Sequence, residues 1–305
     1  MSDRVLVIKL GALGDFVQAF GPFAAIRAHH PGARITLLTT PPFADLARRS
    51  PWFDEVWPEG RPRYTDFRTQ FSLFRRLRAG RFERVYDLQT SPRSSRYRWF
   101  VGLGAEWSGV ARGASHPHAN PHRNAMHTVD RQHEQLEMAG ISTFPLPELG
   151  WLDAELSSAA LPPRFALLIP GASPSRPGKR WPHFPELATR LGLPAVVAGG
   201  AGERPLAEAI RAEAPGTLDL TGRTSLFELA AIARRAAVAV GNDTGPTHLA
   251  AAAGCPTLAL FGEESDPARC APRGPAATFL RQEPLSALAP DRVAESARAL
   301  LRLPS

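Results

Sequence analysis

Four short apolar runs in the second half of the chain each stop at a glycine. Phe165–Ile169 runs into Pro170-Gly171, Ala195–Ala198 into Gly199-Gly200, Ala237–Val240 into Gly241-Asn242, and Thr257–Phe261 into Gly262. Runs this short and this apolar read as strands buried on both faces. Helical spacing fills the intervals, at His183–Leu191, Arg204–Ala214, Leu226–Arg235 and Gly245–Ala253, and Asp291–Leu303 closes the chain as a last helix. Strands alternating with helices build a parallel sheet covered on both faces. The glycine turns then line its carboxyl edge, where open α/β sheets bind ligands.

The first half begins the same way. Arg4–Leu10 is a near-continuous run of Val, Ile and Leu, Gly11–Asp15 turns the chain, and Phe16–His30 follows as a helix closed by Pro31-Gly32. Arg34–Thr40 and Arg84–Leu88 read as a second and a third strand, and 123–140 as a further helix. A chain of 305 residues has room for two domains of about 150 residues. The Pro-rich, poorly periodic stretch 142–163 separates the two patterns. The expected architecture is α/β, with Rossmann-like domains at 1–150 and 151–305 and a cleft between them.

Composition removes several classes. Hydrophobic residues at 44% support a packed core and exclude global disorder. The two cysteines, Cys255 and Cys270, cannot form a disulfide framework or a cysteine-built zinc site. No apolar run approaches the roughly 20 residues that cross a bilayer. The N-terminal apolar stretch reads as a strand rather than a signal peptide, so a soluble cytoplasmic protein is expected. The net charge of +7 is uneven: residues 1–150 hold 20 Arg and Lys against 14 Asp and Glu, whereas residues 151–305 hold 16 against 15. A basic first half suits nucleic acid, an anionic membrane surface or a phosphorylated acceptor.

Four segments carry chemistry. In Gly11-Ala12-Leu13-Gly14-Asp15 the glycines Gly11 and Gly14 permit a tight turn and close backbone approach to a ligand. The spacing is not that of a dinucleotide fingerprint, and the second strand ends in Thr39-Thr40 with no acid for a ribose, which counts against NAD. Asp15 is placed either to take a proton from a hydroxyl or to complement the helix N-terminus. The loop Gly171–Pro182 offers the hydroxyls of Ser173 and Ser175 and the cations of Arg176, Lys179 and Arg180, a set that suits a diphosphate or a solvated basic loop. Lys179 is one of only two lysines among 36 basic residues, and a compact ammonium is the better cation in a tight phosphate site. In Gly199-Gly200-Ala201-Gly202-Glu203, the Glu203 carboxylate either accepts from ribose hydroxyls or opens a helix. Gly241-Asn242-Asp243-Thr244-Gly245-Pro246-Thr247-His248 combines capping residues with a first-turn proline. The amides at such a helix start face an anion, and His248 lies one turn from Thr244 on the same face.

Taken together and in this order, Lys9-Leu10-Gly11-Ala12-Leu13-Gly14-Asp15, Pro170-Gly171-Ala172-Ser173, Lys179-Arg180-Trp181-Pro182 and Asn242-Asp243-Thr244-Gly245-Pro246-Thr247-His248-Leu249 resemble glycosyltransferase family 9. Its best-known members are ADP-heptose:lipopolysaccharide heptosyltransferases. The resemblance spans nearly the whole chain. It implies a GT-B fold and transfer with inversion from a nucleotide diphosphate sugar. The sequence carries no paired-carboxylate metal motif, so metal-independent chemistry without a cofactor is expected, with Lys179 and the helix amides meeting the leaving diphosphate. The front domain would take a lipopolysaccharide-core-type anionic glycolipid and the back domain the donor, expected to be ADP-heptose. By position, Asp15 would be the catalytic base and Lys179 would hold the diphosphate, with Ser173, Ser175, Thr244, Gly245 and His248 around it. Glu203 would hold the ribose, and Asp243 would lie near the donor sugar. The acceptor would bring the protein to the inner face of the cytoplasmic membrane as a peripheral enzyme.

Two features stand apart. His116, His118 and His122 have ragged spacing among prolines, which favours a loop over the cleft above a metal site. Residues 61–98 hold eleven arginines against Asp66, Glu83 and Asp87, with Phe67, Phe71, Phe74 and Leu77 at helical spacing between them. The stripe reads as core behind a solvated arginine face. Docking to anionic lipid or glycolipid is the second reading and the one that fits the family best. Nucleic acid is the third, without any recognisable module. Beside the transferase stand a non-catalytic sugar-nucleotide-binding protein with the same pocket and, more distantly, an NAD oxidoreductase.

Overall fold

The computed structural model describes residues 3–156 and 160–302. Its internal contacts form two compact units, Met1–Trp151 and Leu152–Ser305. The first runs β1 (Arg4–Ile8), α1 (Leu13–Val17), α2 (Phe20–His29), β2 (Arg34–Leu38), α3 (Pro41–Arg49), β3 (Glu55–Trp57), α4 (Phe67–Ala79), β4 (Arg84–Asp87), α5 (Pro92–Val101), β5 (Glu106–Gly109), β6 (His116–Pro117) and α6 (Thr128–Glu137). The second runs β7 (Ala166–Ile169), α7 (Phe184–Arg190), β8 (Ala195–Val197), α8 (Arg204–Glu213), β9 (Leu218–Asp219), α9 (Leu226–Arg235), β10 (Val238–Asn242), α10 (Gly245–Ala252), β11 (Thr257–Phe261), α11 (Pro267–Cys270), β12 (Ala277–Arg281) and α12 (Pro290–Leu300). The expected end of the last helix, Leu303, lies outside the described residues.

Each unit holds one six-stranded sheet, ordered β3-β2-β1-β4-β5-β6 and β12-β11-β10-β7-β8-β9. Every strand pair is parallel. Numbered within its own unit, each sheet reads 3-2-1-4-5-6, the doubly wound order. The direction of winding reverses between β1 and β4 in one unit and between β7 and β10 in the other. At those two points neighbouring turns diverge to opposite faces and leave a crevice at the carboxyl edge.

The central strands are apolar because both faces are covered. Val5, Leu6, Val7 and Ile8 of β1 and Leu258, Ala259, Leu260 and Phe261 of β11 are all buried. Each fully buried Leu, Ile or Phe contributes roughly 1.5–3 kcal/mol of transfer free energy. On one face of the first sheet Phe16, Phe20, Phe23 and Trp52 pack edge to face or tilted, with Trp151 closing on Phe20 and Trp52. In the second sheet Trp181 and Phe184 join Leu187, Val240 and Leu260 in one cluster.

The structure departs from expectation in three places. The single helix expected over Phe16–His30 is two helices, α1 and α2. Pro22 has no N–H for the carbonyl four residues earlier, so the helix restarts just before it. His116 and Pro117 form the edge strand β6 rather than a loop. The aromatic stripe of α4 is not core: Phe67 is 78% exposed and Phe71 60%, whereas Leu73 and Leu77 are buried. At 3.6 residues per turn, Phe71 sits about 160° around the helix from Leu73. The leucines face the sheet, and the phenylalanines share the outer face with Arg75 and Arg78.

Candidate functional site

In the first unit, β1 leaves the sheet through Lys9-Leu10-Gly11-Ala12 into α1. Gly11 has φ +107°, and a Cβ there would run into the Phe43 ring, so the turn needs glycine. Gly14 and Asp15 lie in the first turn of α1, and Asp15 is half-buried. The N-cap position is Ala12, with no side-chain cap. Among the described residues no side chain or backbone N–H is hydrogen-bonded to the Asp15 carboxylate; its electrostatic neighbour is Lys9.

Lys9 is 3% exposed and its Nζ donates to the Leu88 carbonyl at 3.3 Å. Burial pulls its pKa down, and the nearby Asp15 and Asp87 oppose that. The turn after β4 is fixed from below. Asp87, fully buried, accepts from the Gln89 and Thr90 amides at 3.2 and 3.0 Å, and Gln89 Oε1 accepts from the Leu10 amide at 2.8 Å. The turns of β1 and β4 are therefore tied together where the winding reverses, beneath Asp15.

Burial drives the Asp87 carboxyl up to about 7, against its backbone hydrogen bonds and Lys9. A carboxyl raised by folding stabilises the native state while it holds its proton and loses that advantage as pH rises from about 4 to 7. Asp87→Asn keeps an acceptor for Gln89 and Thr90 and never ionises. Urea unfolding between pH 4 and 8 should show the parent losing up to about 4 kcal/mol from this group, with the variant flatter over that window. Parallel curves for the two proteins would mean that another group titrates there.

The three histidines do not converge. His118 is buried and sits 2.6 Å from Glu134 of α6, while Arg123 Nε donates to its Nδ1 at 3.3 Å. His116 approaches Glu106 at 3.7 Å, and His122 is exposed. Among the described residues no three His, Cys, Asp or Glu side chains are grouped to hold a metal. His118, with Asn120 also on Glu134, latches the segment after β6 to α6.

In the second unit the crevice between β7 and β10 is organised by Asn242, which is fully buried. Its Nδ2 donates to the Pro170 and Gly171 carbonyls at 2.8 and 3.2 Å, and its Oδ1 accepts from the Trp181 amide at 3.1 Å. One side chain at the end of β10 thus pins both ends of the loop that carries Ser173, Ser175 and Lys179. Trp181 anchors the far end by donating from Nε1 to the Leu288 carbonyl at 2.9 Å. Gly241 admits no Cβ, which would strike Thr247 Oγ1 and Ile169, so α10 lies close against the strands.

Lys179 Nζ lies 2.5 Å from Asp243 Oδ2, and His248 Nε2 lies 3.3 Å from Asp243 Oδ1. All three are largely buried, with side-chain exposures of 13%, 5% and 6% for Lys179, Asp243 and His248. Burial alone would raise the Asp243 carboxyl, but hydrogen bonds from His248 and Lys179 outweigh it and bring it to about 2. The cluster sits at the mouth of α10. Pro246 has no N–H, and the Thr247 and His248 amides go to the Thr244 carbonyl, which leaves the Thr244 and Gly245 amides without an acceptor inside the helix.

Glu203 reaches back across the edge. Its Oε2 accepts from the Gly200 amide at 2.7 Å, and its carboxylate occupies the space where a Cβ on Gly171 or Gly199 would stand. It caps the turn before α8 and also presents a carboxylate between β7 and β8. Ser173 and Ser175 are exposed and bond each other at 2.9 Å. The structure therefore gathers Lys179, Asp243, Thr244, Gly245 and His248 at one crevice, with Glu203 beside the Gly171 turn and the two serines on the outer loop. Sequence reasoning missed Asn242 as the pin and Lys9 and Asp87 as the floor under Asp15. Asn242 ends a buried strand in a polar motif, which was its one available signal.

A family model described as glycosyltransferase family 9 (heptosyltransferase) matches residues 70–298. The lipopolysaccharide heptosyltransferase 2 of Escherichia coli K12 is 26% identical over 302 residues, covering 86% of this chain and 83% of that one. A lipooligosaccharide heptosyltransferase 2 of Haemophilus influenzae is 34% identical over 115 residues, so that match spans about a third of each protein, 34% of this chain and 33% of the relative. Among solved structures, the E. coli ADP-heptose lipopolysaccharide heptosyltransferase II superposes with a TM-score of 0.77 at 25% identity, covering 98% of both chains. E. coli heptosyltransferase WaaC, solved with ADP, superposes with a TM-score of 0.76 at 20% identity, over 97% of this chain and 99% of that one. These matches and the two parallel sheets bear out the expected α/β fold of GT-B type.

Proposed function

We propose, from the premise that this chain belongs to glycosyltransferase family 9, that it is an inverting glycosyltransferase. It moves heptose from ADP-heptose to an anionic glycolipid of the lipopolysaccharide-core type, working as a peripheral protein at the inner face of the cytoplasmic membrane. The observation that carries this reading is the buried Lys179–Asp243–His248 cluster at the mouth of α10. Such a site is built for the diphosphate of a nucleotide sugar.

In the reaction the acceptor oxygen attacks the anomeric carbon, the bond from that carbon to the donor phosphate oxygen breaks, and the electron pair leaves with the nucleotide diphosphate. Asp15 takes the acceptor hydroxyl proton. The Lys179 ammonium, already oriented by Asp243, meets the charge growing on the leaving diphosphate, together with His248 and the amides of Thr244 and Gly245. The ammonium and these dipoles belong to the chain itself, and the reading is accordingly metal-independent. Ser173 and Ser175 flank the phosphates from the outer loop. Glu203 accepts from the ribose hydroxyls, and Asp243, besides holding Lys179, borders the donor sugar. The first unit takes the acceptor and the second the donor. The ADP bound to the E. coli neighbour supports the choice of nucleotide.

A thermal-shift panel of nucleotide sugars tests the donor. ADP-heptose at a hundredfold excess over its dissociation constant should add about 2.7 kcal/mol of stability, and UDP- and GDP-sugars much less. Stabilisation by NAD alone, or by no nucleotide sugar, would remove the reading.

A further inference from the structure

We propose that the outer face of α4 and α5 is a membrane-docking surface whose partner is an anionic lipid bilayer. It rests on the glycolipid-acceptor reading for its purpose but on separate observations. Among the described residues eight large hydrophobic side chains are exposed, and five of them, Tyr64, Phe67, Phe71, Trp99 and Leu103, fall within 40 residues on or beside these two helices. Scattered exposed apolar residues need no explanation, but a cluster does.

Phe71 leads into a ridge of rings. Phe71 packs on Phe74 with centroids 6.1 Å apart, and Phe74 packs edge to face on Phe100 at 5.5 Å. This ridge divides two open troughs. One, of about 790 Å³, is lined by Phe74, Leu103, Arg75, Arg78 and Arg81 among others. The other, of about 260 Å³, is lined by Tyr64, Trp99, Phe100, Arg93 and Arg96 among others.

The arginines of this stretch sort by face. Arg76 pairs with Glu55 and Glu59, and Arg84 pairs with Glu106, all on the sheet side. The five trough arginines make no carboxylate pair among the described residues, and Arg93 and Arg96 lie instead over the Tyr64 ring at 4.0 and 4.7 Å. Arg93 also donates to the Pro62 carbonyl at 2.7 Å. Exposed Phe, Trp and Leu flanked by guanidinium groups that no carboxylate neutralises match an interface of acyl chains and phosphate headgroups, with Trp and Tyr at the headgroup level. Nucleic acid matches less well. The aliphatic Leu103 offers no face for base stacking, and the ridge rings Phe74 and Phe100 pack on each other rather than standing open.

Sedimentation with vesicles of phosphatidylcholine, with and without phosphatidylglycerol, tests this. The intact protein should bind the anionic vesicles, more weakly as salt rises, and leave the neutral ones in the supernatant. The double variant F67S/F71S should bind about tenfold more weakly at low salt, and R75Q/R78Q should lose most of the anionic preference. Both should unfold at the parent temperature and transfer sugar to a lipid-free core oligosaccharide at the parent rate. Equal vesicle binding by parent and variants would overturn the docking surface. So would a lower rate on the lipid-free acceptor, which would make this face part of the acceptor site, or tighter binding of the parent to single-stranded RNA than to anionic vesicles. If vesicle binding follows expectation while the parent transfers to no acceptor, the transferase reading fails and the docking surface stands.

Discussion

Asp15→Ala is expected to lower sugar transfer by about 10²–10⁴-fold while donor-induced stabilisation stays close to that of the parent. The expectation follows from what the carboxylate does not do. No hydrogen bond holds it among the described residues, and the N-cap of α1 is Ala12. Its removal therefore leaves the local hydrogen bonding of the fold intact. The one structural consequence falls on Lys9, which loses an opposing charge and keeps the burial that lowers its pKa. A second variant, Asp15→Asn, controls for shape, because it keeps the side-chain volume and loses the proton acceptor. Initial rates at saturating donor, with donor affinity measured by calorimetry on the same preparations, give the comparison. Parallel losses of rate and donor affinity in both variants would take Asp15 out of the base role. An unchanged rate would leave the first unit without its proposed catalytic group.

The alternation of strand and helix was legible because central parallel strands are short apolar runs, and β1, β7, β8, β10 and β11 end at or near a glycine as well. The strands β1, β2, β4, β7, β8, β10 and β11 all lie where such runs occur. The edge strands β3, β6, β9 and β12, and β5 beside one edge, were not legible. With two residues in β6 and β9 and three in β3, there is no period to detect, and β12, none of whose five residues is buried, and the mixed β5 sequence Glu-Trp-Ser-Gly are not the continuous apolar runs that mark a central strand. The orientation of α4 was hidden for a different reason. Phe67, Phe71 and Phe74 recur at true helical spacing, but spacing alone does not say which stripe meets the sheet. Of the expected stripe Leu77 does reach the core, with Leu73 four residues before it, while Phe67 and Phe71 turn outward. The crevice of the second unit shows the same limit. Lys179 stood out as a rare lysine, yet its partner Asp243 is 64 positions away and the pin Asn242 acts on backbone more than 60 positions away. Such pairings exist only once the sheet order places β7 beside β10.

That pairing leads to the second large effect. Lys179→Ala should both weaken donor binding and destabilise the fold, and the two losses are separable. Asp243 is buried and held at a pKa of about 2 by its partners. Its contribution is complete above about pH 4 and is lost as pH falls through about 2, opposite in sign to that of Asp87. Without Lys179 the Asp243 carboxylate keeps His248 and the weak Cys270 thiol donor, 3.9 Å from Oδ2, and breaking a buried pair from one side costs about 3–5 kcal/mol. Asp243→Leu alone should cost as much, because it strands the ammonium. The double variant K179M/D243L removes both charges at once and should recover most of that stability in urea unfolding. It should not recover donor binding. A charge-assisted contact to phosphate is worth about 1.5–3 kcal/mol, so calorimetry should find donor affinity roughly 10–100-fold below the parent in K179A and in the double variant alike. Recovery of both stability and donor affinity in the double variant would make the pair a structural clamp and place the diphosphate elsewhere. Recovery of stability alone keeps Lys179 as the group that meets the leaving diphosphate, with Asp243 as the residue that holds it there.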